Sequence, residues 1–352
     1  MSQTIEDQAR AESPTGGGEE VRPAGESTRK EQGRWGAPRC GYRVNATMLW
    51  VGTRVLWVGY GLVWVAAVWF YLAVGRARRA SVRYLDLMYR ARGGIGRRGF
   101  LLRGWETYRH MVAFGVLLLD RALMLARPGH GFHIDCEGLE HLRAATDAAD
   151  GRGVLVLSAH FGMAEIAAPY MRRMGMTRPA NIVMYQDVRD GTEQFHARHR
   201  HMLEHVTVIS TTDPLAAGVK IIAALKKGEV VAMRADRTLV GKAVEVELLG
   251  ERVNVPAGPF VAAALSGARV VHIYTCRLGY RRYRCMMFPG GIYGEEAGGS
   301  RDERVGRAAQ EFARVLEGIL RRFPHQWSNF YDLWAVQGVR EEVTKHEEMR
   351  QD

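Results

Sequence analysis

Beyond residue 130 the chain repeats one pattern: short apolar runs, each too brief for a helix, alternate with stretches that carry apolar residues at helical spacing. A strand joined to its neighbours by helices is covered on both faces, so it reads as a continuous apolar run, and such alternation builds α/β domains. Val154-Leu155-Val156-Leu157-Ser158 is the clearest run. Further strands are expected at Gly131–Glu137, Ala180–Tyr185, Val206–Ser210, Glu229–Met233, Val244–Leu249, Val270–Leu278 and Tyr283–Phe288. Helices are expected at Glu165–Met174, Thr192–Glu204, Leu215–Lys227 (stopped by Gly228), Pro259–Leu265 and Arg304–Arg322. The last has Val305, Ala308, Phe312, Leu316, Ile319 and Leu320 on one face at the helical period.

The N-terminal part is organised differently. Residues 1–35 are rich in Glu, Gly, Ser, Thr, Pro and Arg, and lack the apolar side chains that offset ordering entropy, so a disordered tail over 1–43 is expected. Val55–Val74 is uncharged and twenty residues long, with Trp57, Trp64 and Trp69 inside and arginines at both ends. At helical rise it covers about 30 Å, a bilayer's hydrocarbon thickness, and predicts a membrane helix. A buried helix and one lying in the interface are the alternatives. From Arg76 to Arg103 nine arginines face one acid, Asp86, with aromatic and aliphatic residues between them. After an apolar helix, that composition predicts a cytoplasmic segment against anionic headgroups; an ordinary solvated arginine face is the alternative. The next apolar stretch, Met111–Ala126, is broken by Asp120-Arg121 and therefore predicts a core or interfacial helix instead of a second span. These segments, 44–128, precede the α/β domain expected over 129–338 and a charged tail over 339–352.

Net charge is +11, and residues 44–338 hold 39 basic and 26 acidic side chains. The excess favours anionic partners. No helix-turn-helix, finger or RNP-like pattern accompanies it, so nucleic acid is not expected. Cys40, Cys136, Cys276 and Cys285 form no Cys-x-x-Cys pair and suit a reducing compartment. Cys276 and Cys285 lie in adjacent strand-like runs, as a chance pair or as two buried thiols.

Directly after the central apolar run stands His160-Phe161-Gly162-Met163-Ala164-Glu165. A histidine at the carboxyl end of a buried strand sits where open α/β sheets place catalytic groups, and Gly162 permits a close backbone approach. Glu165, in the first turn of the next helix, is positioned to orient the imidazole only if His160 lies on the turn, because residues five apart diverge on one helix. A loop histidine beside a helix-dipole glutamate is the structural alternative. Ser158 lies on the strand and not in a Gly-x-Ser-x-Gly elbow, so a structural role is expected for it. His196, His199, His201 and His205 have metal-like spacing, but Arg198 and Arg200 repel a cation and no acidic third ligand stands at the expected place; a basic, phosphate-facing helix is expected instead, with no metal. Trp327, Phe330, Tyr331 and Trp334 are expected to pack as a core or membrane-edge group.

The order of the apolar strand, His160-x-x-x-x-Glu165, Arg234-Ala235-Asp236-Arg237, and Leu249-Gly250-Glu251-Arg252 leading to Val255-Pro256-Ala257-Gly258-Pro259-Phe260 resembles the lysophospholipid acyltransferase superfamily. Within it, the lipid A biosynthesis (lauroyl/myristoyl) acyltransferase branch is most alike. Arg78-Arg79-Ala80-Ser81, Leu119-Asp120-Arg121 and Phe323–Tyr331 support the likeness, which covers about residues 45–335. It implies a single mixed-sheet acyltransferase domain flanked by helices, on the cytoplasmic face of a bacterial inner membrane.

The implied reaction moves an acyl chain from a thioester of acyl carrier protein or coenzyme A to a lipid or glycolipid hydroxyl, with no other cofactor. In it His160 is the general base and Glu165 its orienting carboxylate. Arg234, Asp236 and Arg237 lie near the acceptor or phosphate, Phe161 and Gly162 bind substrate beside the base, and Pro256, Gly258 and Pro259 lie in a substrate-binding turn. The oxyanion is met by backbone amides or an arginine. Met163-Ala164 replaces the branch's common Asn-Trp, a departure that bears on acceptor and chain preference. A catalytically silent lipid-binding protein on the same scaffold and, on the histidine cluster, a metal-dependent hydrolase are the rival classes.

Overall fold

The computed structural model describes residues 56–93, 99–126, 131–163, 177–184, 206–237 and 242–334. The tails, the helices expected at Glu165–Met174 and Thr192–Glu204, and the histidine cluster lie outside the described residues. Three helices come first: α1 (Leu56–Ala73), α2 (Gly75–Ala91) and α3 (Phe100–Ala126). The α/β part follows as β1 (His133–Glu137), α4 (Leu139–Thr146), β2 (Val154–Ser158), β3 (Ala180–Met184), β4 (Val206–Ser210), α5 (Pro214–Lys226) and β5 (Val230–Arg234). It continues with β6 (Ala243–Leu248), β7 (Glu251–Pro256), α6 (Gly258–Ser266), β8 (Arg269–Gly279), β9 (Arg282–Ile292) and α7 (Arg301–Arg322).

Seven strands form a mixed sheet in the order β1-β9-β8-β2-β5-β3-β4; β6 and β7 make a separate hairpin. Every neighbouring pair in the large sheet is parallel except β8 with β9. The expected continuous apolar strand is β2, at its centre. Leu155 and Leu157 face one core with α2, α5, α6 and α7, whereas Val154 and Val156 face a second with α4. Burial on both faces is what removes the in–out alternation from such a strand.

Local signals explain most boundaries and the misses. Helix α7 starts three residues earlier than its apolar period suggests, because Ser300 and Glu303 form a capping box that satisfies amides of the first turn. Gly228, at φ +80, follows the end of α5 as expected. Strand β7 was not expected: its run ends in Pro256 and reads as a turn motif, yet it pairs antiparallel with β6 through Leu249 and Gly250, both left-handed as a two-residue hairpin turn requires. Helix α4, only eight residues, is too short to show a period. Cys285 is registered opposite Cys136 of β1 and Thr275 of β8, not Cys276, so the chance pair weighed for Cys276 and Cys285 is absent.

The expected membrane span does not appear as one straight helix; α1 and α2 reach the length and composition of a span only as a bent pair. No single described helix is long and apolar enough to cross a bilayer, and α1 meets α2 at a 98° bend. Ala67 of α1 is buried with Met111, Val112 and Val116 of α3 and with Phe330. Helix α3 contains the whole expected core or interfacial helix Met111–Ala126, and its Asp120 is fully buried and satisfied: it accepts hydrogen bonds from the Tyr60 and Tyr283 hydroxyls and from Arg277 Nε at 3.0 Å. Part of the arginine-rich segment is spent on the protein itself. Arg83 lies 3.1 Å from Asp332, Arg90 lies 3.6 Å from Glu251 on the β6–β7 hairpin, and Arg103 lies 2.6 Å from Asp86.

Candidate active site

Strands β2 and β5 are parallel neighbours, and Ser158 is registered opposite Arg234. Two residues past each end stand His160 and Asp236, so the same register that pairs the strands sets these side chains abreast. The backbone carries the pairing one step beyond the strands, with Ala235 N donating to Ser158 O at 2.9 Å. His160 Nδ1 then meets Asp236 Oδ1 at 2.7 Å, and the His160 amide donates to Asp236 Oδ2 at 3.0 Å. Trp327 Nε1 donates to that second oxygen at 2.9 Å. A carboxylate 1 % exposed is thus held by three donors, beside an imidazole that is 25 % exposed.

The turn after His160 is fixed by a third strand. Gly162 has φ +54 and bridges Thr275 of β8, and a Cβ there would lie 1.7 Å from Thr275 O. Only glycine fits this approach. The amides of Gly162 and Met163 donate to Gln326 O and Thr275 O, Phe161 is buried, and Ser328 N donates to His160 O at 2.7 Å. Ser158 Oγ points at Met233 O, 3.4 Å away, which agrees with a structural role.

The segment carrying Trp327 is clasped by the N-terminal helices. His110 of α3, fully buried, has Nε2 2.8 Å from Trp327 O and Nδ1 2.8 Å from Ser81 Oγ of α2. A carbonyl only accepts, so Nε2 carries the proton and Nδ1 accepts from the serine. Burial lowers the His110 pKa to about 4, against a weaker upward pull from the Trp327 carbonyl. The ring is therefore neutral at pH 7. Tyr84 donates to Pro324 O at 2.8 Å and packs edge-on to Trp327, and Phe330 stacks on His110.

Electrostatics suit a base. Burial pushes the His160 pKa below the ordinary histidine value; the Asp236 charge and hydrogen bond pull it up, and Arg237 and Arg234 depress it further. Burial opposes ionisation of Asp236, but His160, Arg237 and the Trp327 hydrogen bond outweigh it and hold that carboxyl well below its usual range. The result is a neutral imidazole whose Nδ1–H is taken by an ionised carboxylate, leaving the Nε2 lone pair for a substrate proton.

The expected site residues are distributed unevenly around this pair. Asp236, expected near the acceptor or phosphate, is instead buried against His160, and a carboxylate so enclosed has no free face for a substrate. Glu165 lies outside the described residues; an orienting carboxylate takes Nδ1, and Asp236 holds that atom. Arg237 donates to Ser328 O and lies over the Tyr331 ring, and Arg234 is exposed at the end of β5. Pro256 ends β7, and Gly258 and Pro259 open α6, on a different connection from the dyad. Trp327 and Ser328 are the functional residues that sequence reasoning missed. The aromatic group does pack as core, yet one indole also serves Asp236 from 91 positions away, a relation no spacing rule reveals.

No curated protein matches the chain. The model of a family, bacterial lipid A biosynthesis acyltransferase, matches residues 127–335, which span β1 through the Trp327 segment and contain both His160 and Asp236. With more than half of its length matched, and the dyad inside the match, the chain belongs to the bacterial lipid A biosynthesis acyltransferase family.

Proposed function

We propose that this acyltransferase moves a fatty acyl chain from an acyl thioester, of acyl carrier protein or coenzyme A, to a hydroxyl of a membrane glycolipid or phospholipid, with His160 as general base. The hydrogen bond from His160 Nδ1 to buried Asp236 carries this reading. An acceptor hydroxyl is too weak an acid to attack unaided, and a positioned base that removes its proton makes a covalent enzyme intermediate unnecessary. His160 Nε2 takes the proton as the hydroxyl oxygen attacks the thioester carbonyl. The tetrahedral adduct collapses, the carbon–sulfur bond breaks, and the departing thiolate recovers the proton from the imidazolium. Asp236 stabilises that imidazolium while it exists. Arg234 and Arg237, near enough to act on His160, add positive potential where the oxyanion forms.

Pro256, Gly258 and Pro259 are assigned to substrate on the family likeness. Met163, buried in the turn after His160, stands where the branch commonly has asparagine and marks the acceptor as open to a lipid other than lipid A. Purified protein and its His160→Ala variant, given acyl-carrier-protein and coenzyme A thioesters with total lipid extract, test the assignment by mass spectrometry of the lipid products. The variant is expected to lose acyl transfer by about a hundredfold to ten-thousandfold. Equal transfer by both proteins refutes the base, and a silent lipid-binding protein transfers nothing in either form.

A further inference from the structure

Among the described cysteines, two face each other. Cys136 of β1 and Cys285 of β9 are registered partners on adjacent parallel strands. Such partners share a face of the sheet and lie about 4.8 Å apart, inside the Cα separation of about 4.4–6.8 Å that a disulfide spans. Both are free thiols, and both pack with Val271, Ile273 and Met287 on the side covered by α4. Their exposure differs: Cys285 is 2 % exposed, whereas Cys136 is half-buried, on the strand that forms one edge of the sheet. Cys276 lies on the opposite face, where its thiol donates to Met286 Sδ at 3.5 Å.

The two thiols are chemically unequal. Cys285 donates its hydrogen to the Cys136 sulfur, which draws the Cys136 pKa below the ordinary thiol value although burial and Asp135 act against it. The same hydrogen bond, with burial, pushes the Cys285 thiol up, and burial takes Cys276 up to about 12. A half-exposed sulfur with thiolate character beside a buried partner is the arrangement of an oxidation-sensitive pair, the first attacking and the second resolving. The row of side chains continues toward the active site. Cys285 is registered opposite Thr275 of β8, whose carbonyl accepts from Met163 N at 3.2 Å and abuts Gly162 in the turn after His160. Strand β1 is not free to drift, because Glu137 lies 3.3 Å from Arg284 and 3.5 Å from Arg322 of α7.

We propose that Cys136 and Cys285 form a reversible disulfide under peroxide, and that this bond, transmitted through Thr275, lowers turnover at His160. The Cys136 thiolate attacks one peroxide oxygen; the O–O bond breaks, and hydroxide leaves as water with the proton that Cys136 released. Cys285 then attacks the sulfenic sulfur of Cys136. The S–S bond forms, the S–O bond breaks, and the Cys285 proton leaves with hydroxide as a second water. Two electrons have passed from the sulfurs to the peroxide, and two equivalents of a small thiol such as glutathione return them. A covalent bond draws the sulfurs closer than their hydrogen bond holds them. With β1 pinned by Glu137, the adjustment falls on Cys285 and on the Thr275 seat beside it. Only the effect on turnover rests on the acyl-transfer reading; the disulfide and its effect on the turn stand without it.

The full chain, reduced and then treated with hydrogen peroxide, tests the proposal. Trypsin cuts between Cys276 and Cys285, at Arg277 among other sites, so mass spectrometry of the peptides names which cysteines are joined. The expected product is one disulfide, Cys136 to Cys285, reversed by dithiothreitol. While it stands, acyl transfer is expected to fall by about tenfold, and the amides of Gly162 and Met163 are expected to exchange deuterium faster. Cys136→Ser is expected to keep the turnover of the reduced protein and to lose the response to peroxide. A disulfide between any other pair, Cys40 included, or oxidation of Cys136 to a sulfinic acid without a disulfide, overturns the proposal. So does a Cys136–Cys285 disulfide that leaves both exchange and turnover unchanged. The disulfide and the exchange are measured whether or not the protein transfers acyl chains, so a failure of that reading is separate from a failure of this one.

Discussion

Asp236→Asn is the most discriminating perturbation of the dyad. The native carboxylate accepts from His160 Nδ1, the His160 amide and Trp327 Nε1 at 2.7, 3.0 and 2.9 Å. Asparagine has one acceptor oxygen and one donor amide for these three donors. If the amide faces the imidazole, Nδ1 must accept, and the ring proton moves to Nε2, the atom that has to act as base. If the amide faces the other way, the His160 amide and the indole both meet a donor in an enclosed site, at about 1–3 kcal/mol each. Either orientation also strips the imidazolium of its counter-charge. A turnover loss of about a thousandfold is expected, equivalent to about 4 kcal/mol of barrier. Donor and acceptor KM are expected to change little, since Asp236 touches neither substrate. Steady-state acyl transfer at saturating thioester, beside a thermal melt confirming a folded variant, measures this. Trp327→Phe, which keeps the carboxylate and removes one donor, is expected to lose less, about tenfold. A folded Asp236→Asn protein turning over within about tenfold of wild type refutes the dyad, because general-base assistance of the usual size cannot survive the wrong tautomer.

Gly162→Ala places a methyl against the Thr275 carbonyl at a left-handed φ, and neither the turn nor β8 can yield cheaply. A loss of about 3 kcal/mol or more in denaturant unfolding is expected, and a change below about 0.5 kcal/mol argues against the close approach. His110 gives a pH dependence of known sign. Its folded pKa of about 4 lies below the ordinary 6.5, so the unfolded chain takes up the proton first. The contribution of His110 to stability is full above about pH 6.5 and falls by about 1.4 kcal/mol per pH unit down to about pH 4, about 3 kcal/mol in all. His110→Phe is expected to be less stable at pH 7 but to flatten that limb, and an unchanged slope in urea titrations at pH 7 and 5 removes the assignment.

The sequence by itself determined the architecture that presents the site. Val154–Ser158 had to be a doubly covered strand because its apolar run leaves no polar face, and α7 was legible in its apolar period, though not its start at the Ser300–Glu303 box. It also placed His160 on the turn after the central strand. Only the tertiary structure decided what His160 touches: its partner is 76 positions away, and the β2–β5 register, an outcome of sheet pairing, sets the two side by side. The indole on Asp236 depends likewise on α2 and α3 clasping the last described segment. The same holds for α1, whose composition does not tell that one of its flanks packs against α3 and Phe330. Hydrophobic pattern records which residues leave water, whereas the neighbour each one meets is settled by long-range pairing.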